Sequence, residues 1–144
     1  MDEAHAWQAK AAITELITRY ATLNDTADWE AVASLYTEDG RMSRPTAPDE
    51  FVGGRSAILA AFRARPRRAS RHVVVNILVT LEGETGARAS SQILLYTGSA
   101  ADDGGLPLLN TAPLIGTFQD TLVKTADGWR FSERRGSLDF RPPR

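Results

Sequence analysis

The chain is 144 residues long, enough for one domain over residues 1–144 with a single core. Its 42% hydrophobic and 24% charged residues are a globular balance, and a net charge of −1 argues against nucleic acid as a partner. The absence of cysteine excludes disulfides, thiol nucleophiles and thiolate metal sites, and no apolar run approaches the length of about 18 residues that a membrane span needs.

From Ala4 to Asn24, Ile13, Leu16, Ile17 and Tyr20 recur at i, i+3, i+4 and i+7, and Asn24 continues that face, so a first helix is predicted there. Residues 24–28 are turn and cap formers. Asp28 is a suitable N-cap for a second helix, with Glu30 in its first turn, where the helix dipole favours an anion. Trp29, Val32 and Tyr36 would form its inner face, and Glu38-Asp39-Gly40 would stop it.

Residues 41–53 read as irregular, with a short possible strand at Arg41-Met42. A third helix should follow Gly53-Gly54, with Ile58, Leu59 and Phe62 inward, ending at Pro66. Without a flanking strand or a lysine, the glycine pair reads as a turn and not as a phosphate loop. Arg63, Arg65, Arg67, Arg68 and Arg71 form a basic cluster that suits either an anionic substrate or, as the favoured reading, a solvated helix end.

After Pro66 the periodicity changes from helical to alternating. Residues 69–81 are a β-branched run in which His72, Val74, Asn76 and Leu78 share one face and Val73, Val75, Ile77 and Val79 the other. Further strands are expected near 86–98, 112–125 and 128–140, joined by turns at Glu82–Gly86 and at Thr125-Ala-Asp-Gly128. Glu133 and Arg135 would share a face with Trp129 and Phe131 and read as a structural ion pair. Three helices followed by a meander of antiparallel strands make an α+β domain.

The phrase Arg19-Tyr-Ala-Thr-Leu-Asn-Asp25 followed by Asp28-Trp-Glu resembles the first helix junction of SnoaL-like domains in the nuclear transport factor 2-like superfamily. Tyr36-Thr-Glu-Asp-Gly40, Gly54-Arg-Ser-Ala-Ile58, Arg71-His-Val-Val-Val-Asn76, Gly116-Thr-Phe-Gln-Asp120 and Asp127-Gly-Trp-Arg-Phe131 are similar to later family motifs, in order. The resemblance implies a cone-shaped α+β barrel, with three N-terminal helices packed in a strongly curved, mainly antiparallel sheet that opens into an apolar pocket. The closest branch includes scytalone dehydratase and hexachlorocyclohexane dehydrochlorinase, and by that likeness Asp25 and His72 carry over as a catalytic dyad. Three positions depart from those enzymes. Ser91 stands where the dehydratase has a second histidine, Arg44 falls near its loop tyrosine, and Tyr20 lies close to a lysine of the dehydrochlorinase.

An aspartate beside a histidine fixes the imidazole tautomer and stabilises the imidazolium that forms when the ring takes a proton. Without the resemblance, His72 reads as a half-exposed residue at a strand start and Asp25 as a turn residue capping local backbone. Tyr20, Asn24, Trp29, Tyr36, Asn76, Ser91 and Asn110 are candidates to line the pocket, with Trp29 read more readily as a core aromatic.

The implied function is a small cofactor-independent enzyme, a lyase of dehydratase or elimination type, acting on an apolar cyclic or polyketide-like molecule. A cofactor-free isomerase or cyclase in the same pocket is one alternative, and a non-catalytic small-molecule-binding or association domain is another. No cofactor and no metal are expected, because His5 and His72 alone cannot supply a three-nitrogen zinc set. Expected partners are a small hydrophobic substrate and a second copy, paired through the outer face carrying Val73, Val75, Ile77 and Val79. No nucleic acid or membrane partner is expected, and the location expected is cytoplasmic.

Overall fold

The computed structural model describes residues 1–143. Helix α1 (Glu3–Asp25) starts at Asp2, whose carboxylate accepts from the His5 N–H, and buries the predicted face of Ile13, Leu16, Ile17, Tyr20 and Asn24. Helix α2 (Trp29–Ser34) is capped by Asp28 as expected, but it stops before Tyr36. Tyr36 instead opens strand β1 (Tyr36–Arg44), which turns into β2 (Ala47–Gly53). Helix α3 (Arg55–Arg63) follows, then β3 (Ala69–Glu82), β4 (Gly86–Ser99), the two-residue β5 (Leu108–Leu109), β6 (Leu114–Thr125) and β7 (Gly128–Leu138). Among the described residues no helix is long and apolar enough to cross a membrane.

The sheet runs in the order β2-β1-β7-β6-β4-β3, with β5 on the margin of β4. Its pairings are antiparallel except for β1 and β7, which run parallel, so it is a mixed sheet curled around the helices. The predicted irregular segment 41–53 is thus a hairpin. Its charged residues face water and mask any alternation, and Pro48 is tolerated because β2 is an edge strand that needs no donor there. Beside the β1–β2 turn, a Cβ on Gly136 would come within 2.6 Å of the Pro45 nitrogen, so a bare backbone is needed for that approach.

Two β-bulges decide which side chains point inward. In β3, Val75 pairs with Gln92 and Leu78 with Ser90, so Asn76 and Ile77 together face Ser91. Asn76 has φ 53°, a left-handed conformation that asparagine tolerates better than most residues. The extra residue inverts the alternation. Ile77, Val79 and Leu81 pack on the core, whereas Asn76 is exposed and Leu78 is 71% exposed. The expected inward placement of Asn76 and Leu78 is therefore corrected, and so is the outward placement of Ile77 and Val79. Val73, Val75 and Leu78 make the outer row.

The second bulge lies at Ser132, since Thr121 pairs with Glu133 but Leu122 with Phe131. Trp129 and Phe131 face inward before it, and Arg134 faces inward after it. Glu133 and Arg135 do not share the Trp129 face or pair with each other. Glu133 meets Arg41 at 3.3 Å, and Arg135 meets Asp49 at 3.1 Å.

Arg134 is 2% exposed and holds Asp120 through two bonds of 2.9 and 3.3 Å. Its guanidinium carbon lies 3.9 Å from the Phe118 ring centre, 4.4 Å from Tyr20 and 4.7 Å from Phe131. Burial pushes the Asp120 carboxyl up from its ordinary value, and Arg134 pulls it back down. Burial alone would also loosen the Arg134 proton and is the largest single influence on it, but Asp120 together with Tyr20 and Tyr36 outweighs it, so the net direction is upward and the guanidinium is charged.

Removing either partner leaves a buried charge unpaired. Asp120→Asn and Arg134→Met should each cost about 3–5 kcal/mol, and Asp120→Leu with Arg134→Met should recover most of it, read from urea midpoints. At the first bulge, Asn76→Val should cost about 1–2 kcal/mol in the same measurement, whereas Asn76→Gly should not destabilise.

Candidate active site

A cavity of about 440 Å³ opens between the C-terminal end of α1, α3 and the inner sheet face. Its apolar wall comes from Ile17 and Trp29 on the helical side and from Val74, Ile93, Leu95, Leu114, Phe118 and Leu138 on the strands. Trp29 stacks on Phe62 with ring centres 5.2 Å apart, so it is both a packed aromatic and a wall residue.

Asp25 is the last residue of α1, where the negative end of the helix dipole disfavours a carboxylate. Donors from the start of β3 offset this. The His72 N–H reaches Oδ2 at 2.8 Å and Oδ1 at 3.1 Å, and the Ser70 hydroxyl donates to Oδ1 at 3.0 Å. His72 Nδ1 lies 2.6 Å from the same Oδ1. The exposed Arg71 adds a looser contact of 3.8 Å. The side chains of Asp25 and His72 are only 12% and 17% exposed, and both line the cavity.

An ionised carboxylate only accepts, so Nδ1 carries the ring proton and Nε2 is left as the basic nitrogen. Among the described residues nothing hydrogen-bonds to Nε2. Burial lowers the His72 pKa below its ordinary value; Asp25 opposes this, and the Arg68 and Arg65 charges reinforce it. The ring therefore stays neutral at neutral pH and can accept a proton.

The predicted lining residues divide into two groups. Tyr20, Asn24 and Trp29 line the cavity with the dyad. Asn24 donates its amide to the Tyr20 carbonyl at 2.9 Å, and the Tyr20 hydroxyl meets that of Tyr36 at 2.9 Å. Tyr36 itself is wholly buried behind the wall. Burial is the main reason that both phenols are held above their ordinary pKa, so they are neutral.

Asn76, Ser91 and Asn110 do not reach the cavity wall. The bulge turns Asn76 outward, and Ser91 is buried opposite it with an unpartnered hydroxyl. Asn110 is exposed beside β5, donating to the Thr97 hydroxyl at 2.7 Å and accepting from Ser99 at 3.2 Å.

Ser70, Phe118 and Arg134 escaped the sequence reading. Ser70 was within reach, because it precedes His72 by two residues and so shares its face. Phe118 could have been found from the Gly116, Phe118, Asp120 alternation, whereas the bulge hid Arg134. Arg44, Arg65, Arg67 and Arg68 also line the cavity, so the basic cluster is in part a rim and not only a helix end. Among the described residues no group of three His, Asp or Glu side chains is placed to hold a metal ion.

No curated protein matches the sequence. Among solved structures, an NTF2-like protein with a cystatin-like fold from Novosphingobium aromaticivorans has 25% identity and a TM-score of 0.78, over 95% of this chain and 86% of that one. A protein from the same organism named "Putative Scytalone Dehydratase" has 22% identity and a TM-score of 0.78, over 99% and 94%, a likeness of fold. A protein of unknown function from Mycobacterium tuberculosis has 26% identity and a TM-score of 0.74, over 94% and 79%. A model of the SnoaL-like domain matches residues 6–135, and with the helix-filled curled sheet this places the chain in the SnoaL-like family of the nuclear transport factor 2-like superfamily.

Proposed function

We propose that this chain is a cofactor-independent enzyme that uses His72, oriented by Asp25, to remove a proton from a carbon acid in the cavity, in an elimination. The observation that carries the reading is the 2.6 Å contact between Nδ1 and Asp25 in the wall of a cavity that is apolar on its strand side and basic at its mouth. Nε2 takes the proton from the carbon. The released electron pair forms the new double bond, and the leaving group departs from the adjacent carbon with its bonding pair. Asp25 stabilises the imidazolium until the proton passes on to the leaving group or to water.

Tyr20 lines the wall, but its hydroxyl is bonded to the buried Tyr36 hydroxyl at 2.9 Å, so the imidazolium itself is the acid that would return a proton to a leaving oxygen. The same imidazolium would serve an isomerase or cyclase, which returns the proton to a second atom of the substrate. The name of one fold neighbour, "Putative Scytalone Dehydratase", agrees with elimination as the first choice.

Proton abstraction can be followed before the substrate is known, as exchange of an acidified C–H for deuterium in a panel of cyclic ketones, read by NMR in heavy water. His72→Ala and Asp25→Asn should each slow exchange by about 10²- to 10⁴-fold. The double variant should be little slower than either single, since the two groups act as a unit. Wild-type exchange rates in a folded His72→Ala would leave only the binding-domain reading.

The pH profile has a definite sign. His72 works as the neutral base, so activity falls as pH drops through its pKa, which lies below the ordinary value of about 6.5. The acid limb of kcat/KM should have its midpoint below that value. Stability should fall over the same window, because the unfolded chain takes up this proton at higher pH than the folded one. Urea midpoints of the wild type and His72→Ala, compared across the window, measure that part.

A further inference from the structure

The cavity mouth carries charge that proton abstraction alone does not use. Arg44 at the end of β1, Arg65 just after α3, and Arg67 and Arg68 ahead of β3 line the same space. None of these four forms an ion pair among the described residues, while their neighbours Arg63 and Arg71 meet Glu30 at 2.8 Å and Asp25 at 3.8 Å. Among the described residues Asp25 is the only acidic one of the lining. In a chain of net charge −1 this is a local excess, not a reflection of composition.

Arg65 is the most informative of the four. Its guanidinium carbon sits 4.1 Å above the centre of the Phe62 ring, and its Nε is buried with no hydrogen-bond partner. A buried guanidinium N–H is normally satisfied; this one is closed off in the stack on Phe62, so a carboxylate in the cavity would reach Arg65 through its terminal nitrogens. Burial, reinforced by Arg44, lowers its pKa to about 10, so it remains charged at neutral pH. A planar fork stacked on an aromatic ring is also held in place, which favours a carboxylate over a less directional anion.

We propose that the cavity takes a substrate made of an apolar ring bearing a carboxylate, with the ring against the Phe118 and Leu95 wall and the carboxylate on Arg65, flanked by Arg44 and Arg68. This deepens the reading above and rests on the same cavity being the substrate site. The charged groups acting on His72 are Asp25, Arg68 and Arg65, and the two arginines depress its basicity. A bound carboxylate would offset them, so the base would gain strength as the substrate arrives.

Naphthoate and naphthamide separate charge from shape, and calorimetry on the full chain at neutral pH and low salt reads both. Wild type should bind naphthoate about tenfold or more tightly than naphthamide, the scale of a charge-assisted hydrogen bond. Arg65→Met should bring the two affinities together by weakening naphthoate alone. Arg68→Met, at an exposed position with little packing to lose, should reduce the preference in part. Arg63→Met, which removes a charge already paired with Glu30, should leave it unchanged. In NMR titration, naphthoate should raise the His72 pKa more than naphthamide does.

Equal affinities in the wild type would overturn the proposal, as would a preference that survives Arg65→Met and Arg68→Met together. His72→Ala separates this inference from the catalytic one. A retained preference for naphthoate in that variant, with wild-type C–H exchange, removes the base and keeps the carboxylate site. Exchange that depends on His72, with no preference for naphthoate, removes the carboxylate site alone.

Discussion

Everything at the site hangs on the carboxylate of Asp25. It ends α1 and grips the first turns of β3 through the His72 N–H, the Ser70 hydroxyl and the His72 ring. β3 is the last strand of the sheet, so one of its edges has no neighbouring strand to satisfy its polar groups. A carboxylate supplied by a helix does that work at His72 and, with the same two oxygens, orients the imidazole. Structure and the proposed chemistry thus share one group. Asparagine keeps an acceptor for the backbone N–H but loses the charge that favours imidazolium, so Asp25→Asn separates the two roles better than alanine would.

The long amphipathic elements were readable because their periodicity is unbroken. Ile13, Leu16, Ile17 and Tyr20 declare α1, and the β-branched run from Val73 to Val79 declares β3, with ends within a residue or two of those observed. His72 was placed on the inner face correctly because it precedes the first bulge. Asn76 was not, because one residue in the left-handed region reverses every later side chain. The sequence carries a hint in the asparagine itself, yet an asparagine within a strand fits an ordinary solvent-facing position equally well.

Arg134 was lost for the same reason one bulge later. By unbroken alternation from Trp129 and Phe131, Glu133 and Arg135 should face inward and Arg134 outward. Ser132 breaks the count, and the residue that ends up inside is a charged one, Arg134. The hairpin of β1 and β2 was missed through composition. Glu38, Asp39, Asp49 and Glu50 are solvent-facing strand residues; Pro45 does sit in the turn, but Pro48 looks like a loop former until β2 is seen to be an edge. The end of α2 belongs with them. The Phe131 N–H donates to the Leu35 carbonyl at 2.8 Å and Tyr36 pairs with Phe131, so a distant strand, not a local stop signal, draws the chain out of the helix.

Charge in the cavity has two layers with different work. The inner layer is Arg134, whose charge is answered by Asp120 and whose planar face stacks among Tyr20, Phe118 and Phe131. Its effect on a ligand is mainly one of shape, a rigid polar plate held by two hydrogen bonds and three rings. The outer layer is the rim of Arg44, Arg65, Arg67 and Arg68, whose charges no carboxylate of the described chain answers. Field from the rim reaches His72 and lowers its proton affinity, whereas Asp25 raises it. A ring carboxylate lodged on the rim, as proposed, would therefore change the balance at His72 without touching it, because it would cancel one side of that opposition and leave Asp25 in place. An amide of the same shape fills the same space and cancels nothing.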